Sequence, residues 1–202
     1  RYKPTTPSRR HMVIVEYNKI LTTNEPHKAL TRGVKRSVGR NNTGRITTRH
    51  KGSGNKRLYR DIDFKYEKKD IPAKIVSVEY DPNRTAFISL AQYADGAKTY
   101  IVTPKGIKVG DTFVVSEKTE VKLANRMILR NVPVGTLIYN IELKPQGGGR
   151  IARSAGNYAQ IVAHDAGYAL VKMPSTEVRR IIDTAWASIG EVSNDEHHLQ
   201  ND

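Results

Sequence analysis

The 202-residue sequence contains no cysteine, few aromatic residues and no long apolar run. Without cysteine, the chain cannot form disulfide bonds, a zinc ribbon or a thiol nucleophile. No apolar run approaches the roughly 18 residues of a membrane span, and no basic patch lies on an amphipathic helix, so no membrane partner is predicted. Aromatic residues make up 7% of the chain, which argues against binding by extensive base stacking.

Acidic residues are scarce in one part of the chain. The whole sequence has 34 Lys and Arg against 20 Asp and Glu, a formal charge of +14, as expected of a protein that neutralises a polyanion. Residues 1–70 hold 19 basic and 6 acidic residues, whereas residues 71–202 hold 15 and 14. The first third of the chain is therefore the predicted contact with nucleic acid.

Residues 36–60 carry basic side chains without a single acid, and glycines space them. Such a segment cannot bury enough apolar surface to offset its backbone entropy, so we expect it to be disordered alone and ordered on a polyanion. A solvated basic linker is the alternative interpretation. The basic residues are Arg36, Arg40, Arg45, Arg49, Lys51, Lys56, Arg57 and Arg60.

Two series of short alternating segments predict an all-β fold. The first series comprises residues 59–66, 71–80, 85–93, 98–103 and 112–116. It has turn signals at 81–84 and 95–96, and Arg84 is expected to enter the strand after the first turn. This series suits an oligonucleotide-binding barrel at 59–122. The second (135–143, 158–165, 167–173, 177–183 and 186–192) suits an SH3-like barrel at 123–190. Residues 1–58 are predicted to be a basic extension, 125–133 a connection, and 191–202 an acidic, frayed end.

The stretch KPQGGGRIARSAG at 144–156 permits three interpretations. Residues 147–152 match the G-x-G-x-x-A of a dinucleotide loop, but only 150–157 separate them from the next strand, and a parallel crossover needs about a dozen residues. Ser154 nearly fits a nucleophile elbow, which requires a strand-to-helix turn on a parallel sheet. Neither context is predicted here.

The third interpretation is an RNA contact. Glycines let a backbone approach a phosphate chain closely, Lys144, Arg150 and Arg153 supply charge, and small residues beginning at Ser154 suit a sugar edge. A structural bulge with incidental arginines is the alternative. The candidate residues of this loop are Lys144, Gly147, Gly148, Gly149, Arg150, Arg153 and Ser154.

The histidines do not predict a metal site. His197 and His198 are adjacent, and the other four are isolated in sequence. We therefore predict no metal, no cofactor and no enzymatic activity. An enzyme would need a concave site with coupled titratable groups, for which the sequence gives no signal.

Several long motifs resemble the large-subunit ribosomal protein L2 family in its bacterial or organellar form. They are KPTTPSRRH (3–11), GRNNTGRITTRHKGSGNKRLYRDIDFK (39–65), IPAKIVSVEYDPNR (71–84), RNVPVGTLIYNIELKP (130–145), GGGRIARSAG (147–156) and GEVSNDEH (190–197). The resemblance implies an oligonucleotide-binding barrel followed by an SH3-like barrel, with extensions threaded into large-subunit rRNA. It also implies roles in subunit assembly, subunit association, tRNA placement and support of the RNA-catalysed peptidyl transferase centre.

The resemblance also assigns residues and partners. Arg84 of YDPNR and Arg153 of ARSAG match the family's RNA-binding core, and the basic segment with His50 matches its RNA-threading extension. Implied partners are large-subunit rRNA, other ribosomal proteins, the small subunit and nearby tRNA, in a bacterial cytoplasm or an organelle. The family's basic C-terminal tail is missing from the 202 residues, so its function is not assigned here. A non-ribosomal RNA-binding factor is the alternative.

We expect the protein to bind large-subunit rRNA more tightly than an unrelated structured RNA of equal length. Each neutralised phosphate should contribute about −0.7 to −0.9 to the slope of log K against log salt concentration. The measurement is a binding titration of both RNAs from low to physiological salt. Equal binding that collapses with salt would mean that the basic segment acts only as a polycation.

Overall fold

The computed structural model describes residues 2–34, 36–52 and 54–201, so Asp202 of the acidic end lies outside it. The described residues are all-β, as predicted, and no α-helix occurs among them. Short 3-10 helices cover Ser8–Arg10, Tyr17–Lys19, Lys28–Leu30, Leu129–Asn131 and Asp195–Leu199. The strands are β1 (Thr31–Gly33), β2 (Leu58–Arg60), β3 (Ala73–Glu79), β4 (Ile88–Tyr93), β5 (Lys98–Val102), β6 (Thr112–Phe113), β7 (Arg126–Ile128), β8 (Leu137–Tyr139), β9 (Ile141–Glu142), β10 (Gly149–Ile151), β11 (Ala159–Asp165), β12 (Tyr168–Lys172), β13 (Val178–Ile182) and β14 (Trp186–Ile189).

No helix in the described part of the chain has the length and apolar character needed to cross a membrane.

The first sheet is antiparallel and has the strand order β5-β4-β3-β6. Alternation along β3 buries Ala73 and Ile75, which pack with Tyr93 and Phe113 from neighbouring strands. The hairpin predicted at 95–96 joins β4 to β5, where the Gly96 N–H donates to the Tyr93 carbonyl. This curled sheet is the oligonucleotide-binding-type half of the fold.

Residues 59–66, predicted as one strand, form a strand only over β2. The Asp63 carboxylate accepts the backbone N–H groups of Lys65 and Tyr66, and Tyr66 has a φ of +54°, so the chain turns there. β2 pairs with β1, which makes residues 34–57 a loop closed at its base rather than a free arm. Whether this loop becomes ordered only on a polyanion stays a prediction.

The base of that loop is fixed to the first sheet. The Asp61 N–H donates to the Leu30 carbonyl at 2.9 Å, and Leu30 packs against the cluster around Tyr100. The Tyr100 hydroxyl accepts the His27 N–H at 2.7 Å and donates to Glu79 at 2.6 Å. Burial, with the hydrogen bond to Glu79 next, raises the Tyr100 pKa well above its ordinary value, so the hydroxyl keeps its proton at neutral pH.

The second sheet has the strand order β13-β12-β11-β8-β14-β7 and encloses a second core that includes Leu129, Ile138, Ile161 and Val171. Two of its features differ from the prediction. β7 lies in the segment predicted to be a connection. All three of its residues are buried, so it lacks the alternation by which a strand is predicted from sequence. Asn140, at φ +49°, divides the predicted strand 135–143 into β8 and β9.

The two sheets share apolar clusters instead of packing as separate bodies. Trp186 and Ile128 from the second sheet pack in the cluster around Tyr66 and Phe113. A further cluster joins Tyr139 and Val192 to residues of the first sheet. These shared clusters fix the relation between the two barrels.

The prediction that the acidic end frays is wrong for residues 191–201. Val192 is fully buried, the Ser193 hydroxyl accepts the Phe87 N–H, and Asn201 forms a β-bridge with Val13. Lys105 also pairs with Asp195 at 2.7 Å. Tertiary contacts with distant residues therefore order a segment whose own composition predicts exposure.

Replacing Gly149 with alanine should destabilise the free protein, because the new Cβ would lie 2.0 Å from Asn140 Oδ1 and 2.7 Å from the Asn140 carbonyl oxygen. Overpacking of this kind costs about 1 to 3 kcal/mol, which a urea unfolding midpoint resolves. Gly33→Ala is the matched control, since no described atom lies within 4 Å of a Cβ there. Equal midpoints for the two variants would contradict this packing.

Candidate nucleic-acid interface

The glycine-rich loop is held against residues 62–66 of the first half of the chain. Its ends are β9 and β10, which pair with an irregular register. The Gly149 N–H donates to the Phe64 carbonyl at 2.8 Å, and Gly148, at φ +77°, lies against the same carbonyl. Gly148 and Gly149 are buried, whereas Gly147 is exposed. The inner glycines thus serve close packing within the protein, and their predicted contact with RNA stays a prediction.

Two arginines from different halves of the chain lie on one aromatic ring. The Arg153 guanidinium is 4.5 Å from the centroid of the Phe64 ring, and that of Arg84 is 5.7 Å from it. Arg153 also donates to the Gly149 carbonyl at 3.2 Å. We call Phe64, Arg84, Arg150 and Arg153 the arginine cluster. It unites the two arginines that the motifs single out.

The electrostatic environment of Arg153 favours an anion. Partial burial, and then the charges of Arg84 and Arg150, lower its pKa below the ordinary arginine value. Within the described residues, neither Arg150 nor Arg153 forms an ion pair with a carboxylate. A bound phosphate would therefore relieve repulsion among like charges and supply the missing acceptor.

The turn at 81–84 positions Arg84. The Arg84 N–H donates to the Asp81 carbonyl at 3.3 Å, and its guanidinium pairs with the buried Asp81 carboxylate. β4 begins only at Ile88, so Arg84 lies in the turn and not in the strand where the sequence pattern placed it. Its side chain is 19% exposed and lies beside the Phe64 ring.

The same turn contacts the end of the basic loop, the segment between β1 and β2. Arg57 donates to the Pro82 carbonyl at 2.7 Å, and the Asn83 side chain donates to the Leu58 carbonyl at 2.9 Å. Arg60, by contrast, is buried and donates to the Leu58 carbonyl. Arg57 therefore joins the arginine cluster to the loop, while Arg60 has an internal hydrogen bond.

The other predicted contacts are surface residues. The basic loop carries seven of them, and the glycine-rich loop carries two more outside the cluster. The exposed residues are Arg36, Arg40, Arg45, Arg49, His50, Lys51, Lys56, Lys144 and Ser154. Their position in exposed loops suits a long polyanion better than a small ligand.

A shallow concave surface of about 820 Å³ lies between residues 62–67 and the glycine-rich loop. It is lined by Ile62, Phe64, Lys65, Gly147, Arg150 and Arg153, among others. Sites for cofactors enclose most of the ligand surface, whereas this concavity is open to solvent. Two acidic side chains, Asp63 and Glu67, also line it, so its basic side is the wall that carries Arg150 and Arg153.

Sequence reasoning missed Phe64 and Lys65. The available signal was the aromatic residue within DIDFK, between the basic loop and the first long strand. An aromatic residue among basic ones is a useful sign of a nucleic-acid contact, because its ring holds guanidinium groups in place. In the described part of the chain, no group of three or more His, Asp or Glu side chains is arranged to hold a metal ion.

Two small β-barrels with a shared core, an arginine cluster and a basic loop define a structural nucleic-acid-binding protein. The family model described as "Ribosomal Proteins L2, RNA binding N-terminal domain" matches residues 27–116, and "Ribosomal Proteins L2, C-terminal domain" matches 122–201. The "Large ribosomal subunit protein uL2" of Hyphomonas neptunium is 51% identical over 193 residues, which cover 96% of this chain and 70% of that protein. The chain therefore belongs to the ribosomal protein L2 family, a family of RNA-binding structural constituents of the large ribosomal subunit.

Phe64→Leu should weaken RNA binding about two- to fivefold, because cation–π contacts at exposed sites contribute about 0.5–1 kcal/mol. The measurement is the dissociation constant for large-subunit rRNA at fixed salt. Phe64→Tyr keeps the ring and should bind like the unsubstituted protein. If the leucine variant also bound normally, Phe64 would not organise the two arginines.

Proposed function

We propose that the protein binds large-subunit rRNA through the arginine cluster and the basic loop, and thereby fixes RNA helices relative to one another. The observation that carries this proposal is the placement of Arg84 and Arg153 on the ring of Phe64. Each guanidinium comes from a different barrel. An RNA segment held by both would therefore be positioned by the rigid relation between the barrels.

The chemistry of the cluster favours phosphate. A guanidinium offers planar, paired donors that match phosphate oxygens, and stacking on an aromatic ring limits its motion. Within the described part of the chain, the Arg153 guanidinium donates to the Gly149 carbonyl and pairs with no carboxylate, so most of its donors are available to an anion. A-form RNA exposes phosphates and 2′-hydroxyl groups along its wide minor groove, which is where a shallow basic surface can reach it.

The basic loop supplies charge over a longer distance. It carries eight exposed candidate residues, and the sequence 36–57 contains no acidic residue. Closure by β1 and β2 fixes both ends of the loop, so less entropy is lost when it becomes ordered along RNA than for a free arm. This loop is the part of the protein that we propose to be threaded among RNA helices.

The wider role follows from the family. We propose that the protein supports assembly of the large subunit, its association with the small subunit and the RNA around the peptidyl transferase centre, with tRNA nearby. Its relative in Hyphomonas neptunium favours a bacterial ribosome and hence the cytoplasm. The protein's own contribution is binding and positioning, without catalysis. Membership of a ribosomal family argues against an independent RNA-binding factor.

Arg153→Ala should weaken binding to large-subunit rRNA about tenfold or more, because hydrogen bonds to charged groups contribute about 1.5–3 kcal/mol. The salt slope should fall by about 0.7 to 0.9 for each lost phosphate contact. Lys118→Ala, at an exposed lysine in the connection between the two sheets, is the control for loss of net charge. Unchanged affinity and slope in the Arg153 variant would remove Arg153 from the proposed contact.

A further inference from the structure

A buried ion pair lies beneath the glycine-rich loop. Arg126 in β7 and Glu142 in β9 are 3.0 Å apart, and both side chains are 1% exposed. Arg126 also donates to the Asn140 carbonyl at 2.8 Å and to the Ser188 hydroxyl at 3.2 Å. Its guanidinium lies 4.7 Å from the centre of the Tyr66 ring. Arg126 thus joins β7, β9, β14 and the segment before β3.

The second carboxylate oxygen of Glu142 points to the loop. Glu142 Oε1 accepts from Arg126, while Oε2 accepts the backbone N–H of Gln146 at 3.0 Å. Gln146 has a φ of +60° and directly precedes the three glycines. The other end of the glycine run is held by the Gly149 N–H on the Phe64 carbonyl. The loop is therefore fixed at both ends.

Stability alone does not account for the pair. Burying two charges requires their desolvation, and well-packed apolar residues of similar volume are often equally stabilising. An apolar residue at position 142 would nevertheless leave the Gln146 N–H without its acceptor. A carboxylate supplies two acceptor oxygens here. One accepts from the Arg126 guanidinium and the other accepts from the Gln146 backbone N–H.

We propose that Arg126 and Glu142 are positioning residues for RNA binding. Through the Gln146 N–H they hold Lys144 and Arg150 at fixed places on either side of the glycines, next to Arg153. This inference rests on the proposed function, because it concerns how the loop is presented to RNA. Neither residue touches the RNA itself, since both are buried.

The expected effect comes from entropy. In a loop without this anchor, the backbone around Gln146 would have to become ordered on binding, and each residue ordered in this way lowers affinity about five- to thirtyfold. Part of this loss is compensated by contacts that survive, so we expect a total reduction of about tenfold. The loss should appear even where the fold is as stable as before.

The test uses the full chain with Arg126→Met and Glu142→Leu combined. Relative to Glu142→Leu alone, the double variant should recover its urea unfolding midpoint, because no unpaired charge stays buried. Its affinity for a transcript of bacterial large-subunit rRNA should stay about tenfold below that of the unsubstituted protein. Hydrogen exchange at the Gln146 amide should be faster in the double variant, which reports the lost acceptor directly.

Two further variants separate positioning from stability. Ile181→Ala removes apolar contacts from the second core and should lower the midpoint without changing RNA affinity. Glu142→Gln keeps the side-chain size and one carbonyl acceptor, so it should fold and lose less affinity than Glu142→Leu. If affinity followed the unfolding midpoint across all variants, or if Glu142→Gln and the double variant bound normally, the positioning role would be overturned.

Failure of the proposed function can be distinguished from failure of the positioning role. If the unsubstituted protein bound large-subunit rRNA no better than an unrelated RNA, the proposed function itself would be wrong. If Lys144→Ala and Arg150→Ala weakened binding while the Glu142 variants did not, only the positioning role would fail.

Discussion

The backbone of residues 62–66 links the first sheet to the glycine-rich loop, and both the core and the candidate interface depend on it. The Asp63 N–H donates to the Tyr100 carbonyl of β5, and the Phe64 carbonyl accepts from Gly149. Tyr66 points into the shared apolar cluster, where it also covers the guanidinium of Arg126. Phe64 is half-buried against the cluster around Tyr139 and carries the two arginines on its ring. The turn made by the Asp63 carboxylate lets one short segment serve both purposes. The fold and the RNA-binding surface are therefore built on the same residues.

Charge explains why this surface suits a polyanion. Within the second half of the chain acids nearly balance bases, but the first 70 residues hold a large excess of positive charge. Folding brings like charges together, and these repel one another. Burial, and then the charges of Arg84 and Arg150, lower the pKa of Arg153. Aromatic stacking and backbone hydrogen bonds hold the arginines despite this repulsion. Binding to phosphates would release the counterions that otherwise screen them.

In the glycine-rich loop, the sequence motif predicted some features and the tertiary contacts determined others. Its glycines predicted a backbone that a ligand can approach closely, and the three basic residues around them, Lys144, Arg150 and Arg153, predicted an anion. At Gly149 a close approach is made by Asn140 of the same chain, and no observation tests an approach by RNA. Arg153 is exposed next to Arg84, and its contact with RNA is still a prediction. Composition thus indicated the kind of loop, while only the fold assigned packing partners to Gly148 and Gly149.

By itself, the amino-acid sequence determined the all-β fold, most strands, the turns at 81–84 and 95–96, and the family. These features arise from local alternation, turn chemistry and long motifs, which neighbouring residues encode. The tertiary structure decided that β7 is a buried strand, that residues 34–57 form a closed loop, and that residues 191–201 pack against the first barrel. It also brought Phe64, Arg84 and Arg153 together and placed Arg126 beneath the loop. Such contacts join residues far apart in the chain, and their free energy arises only when the two sheets pack.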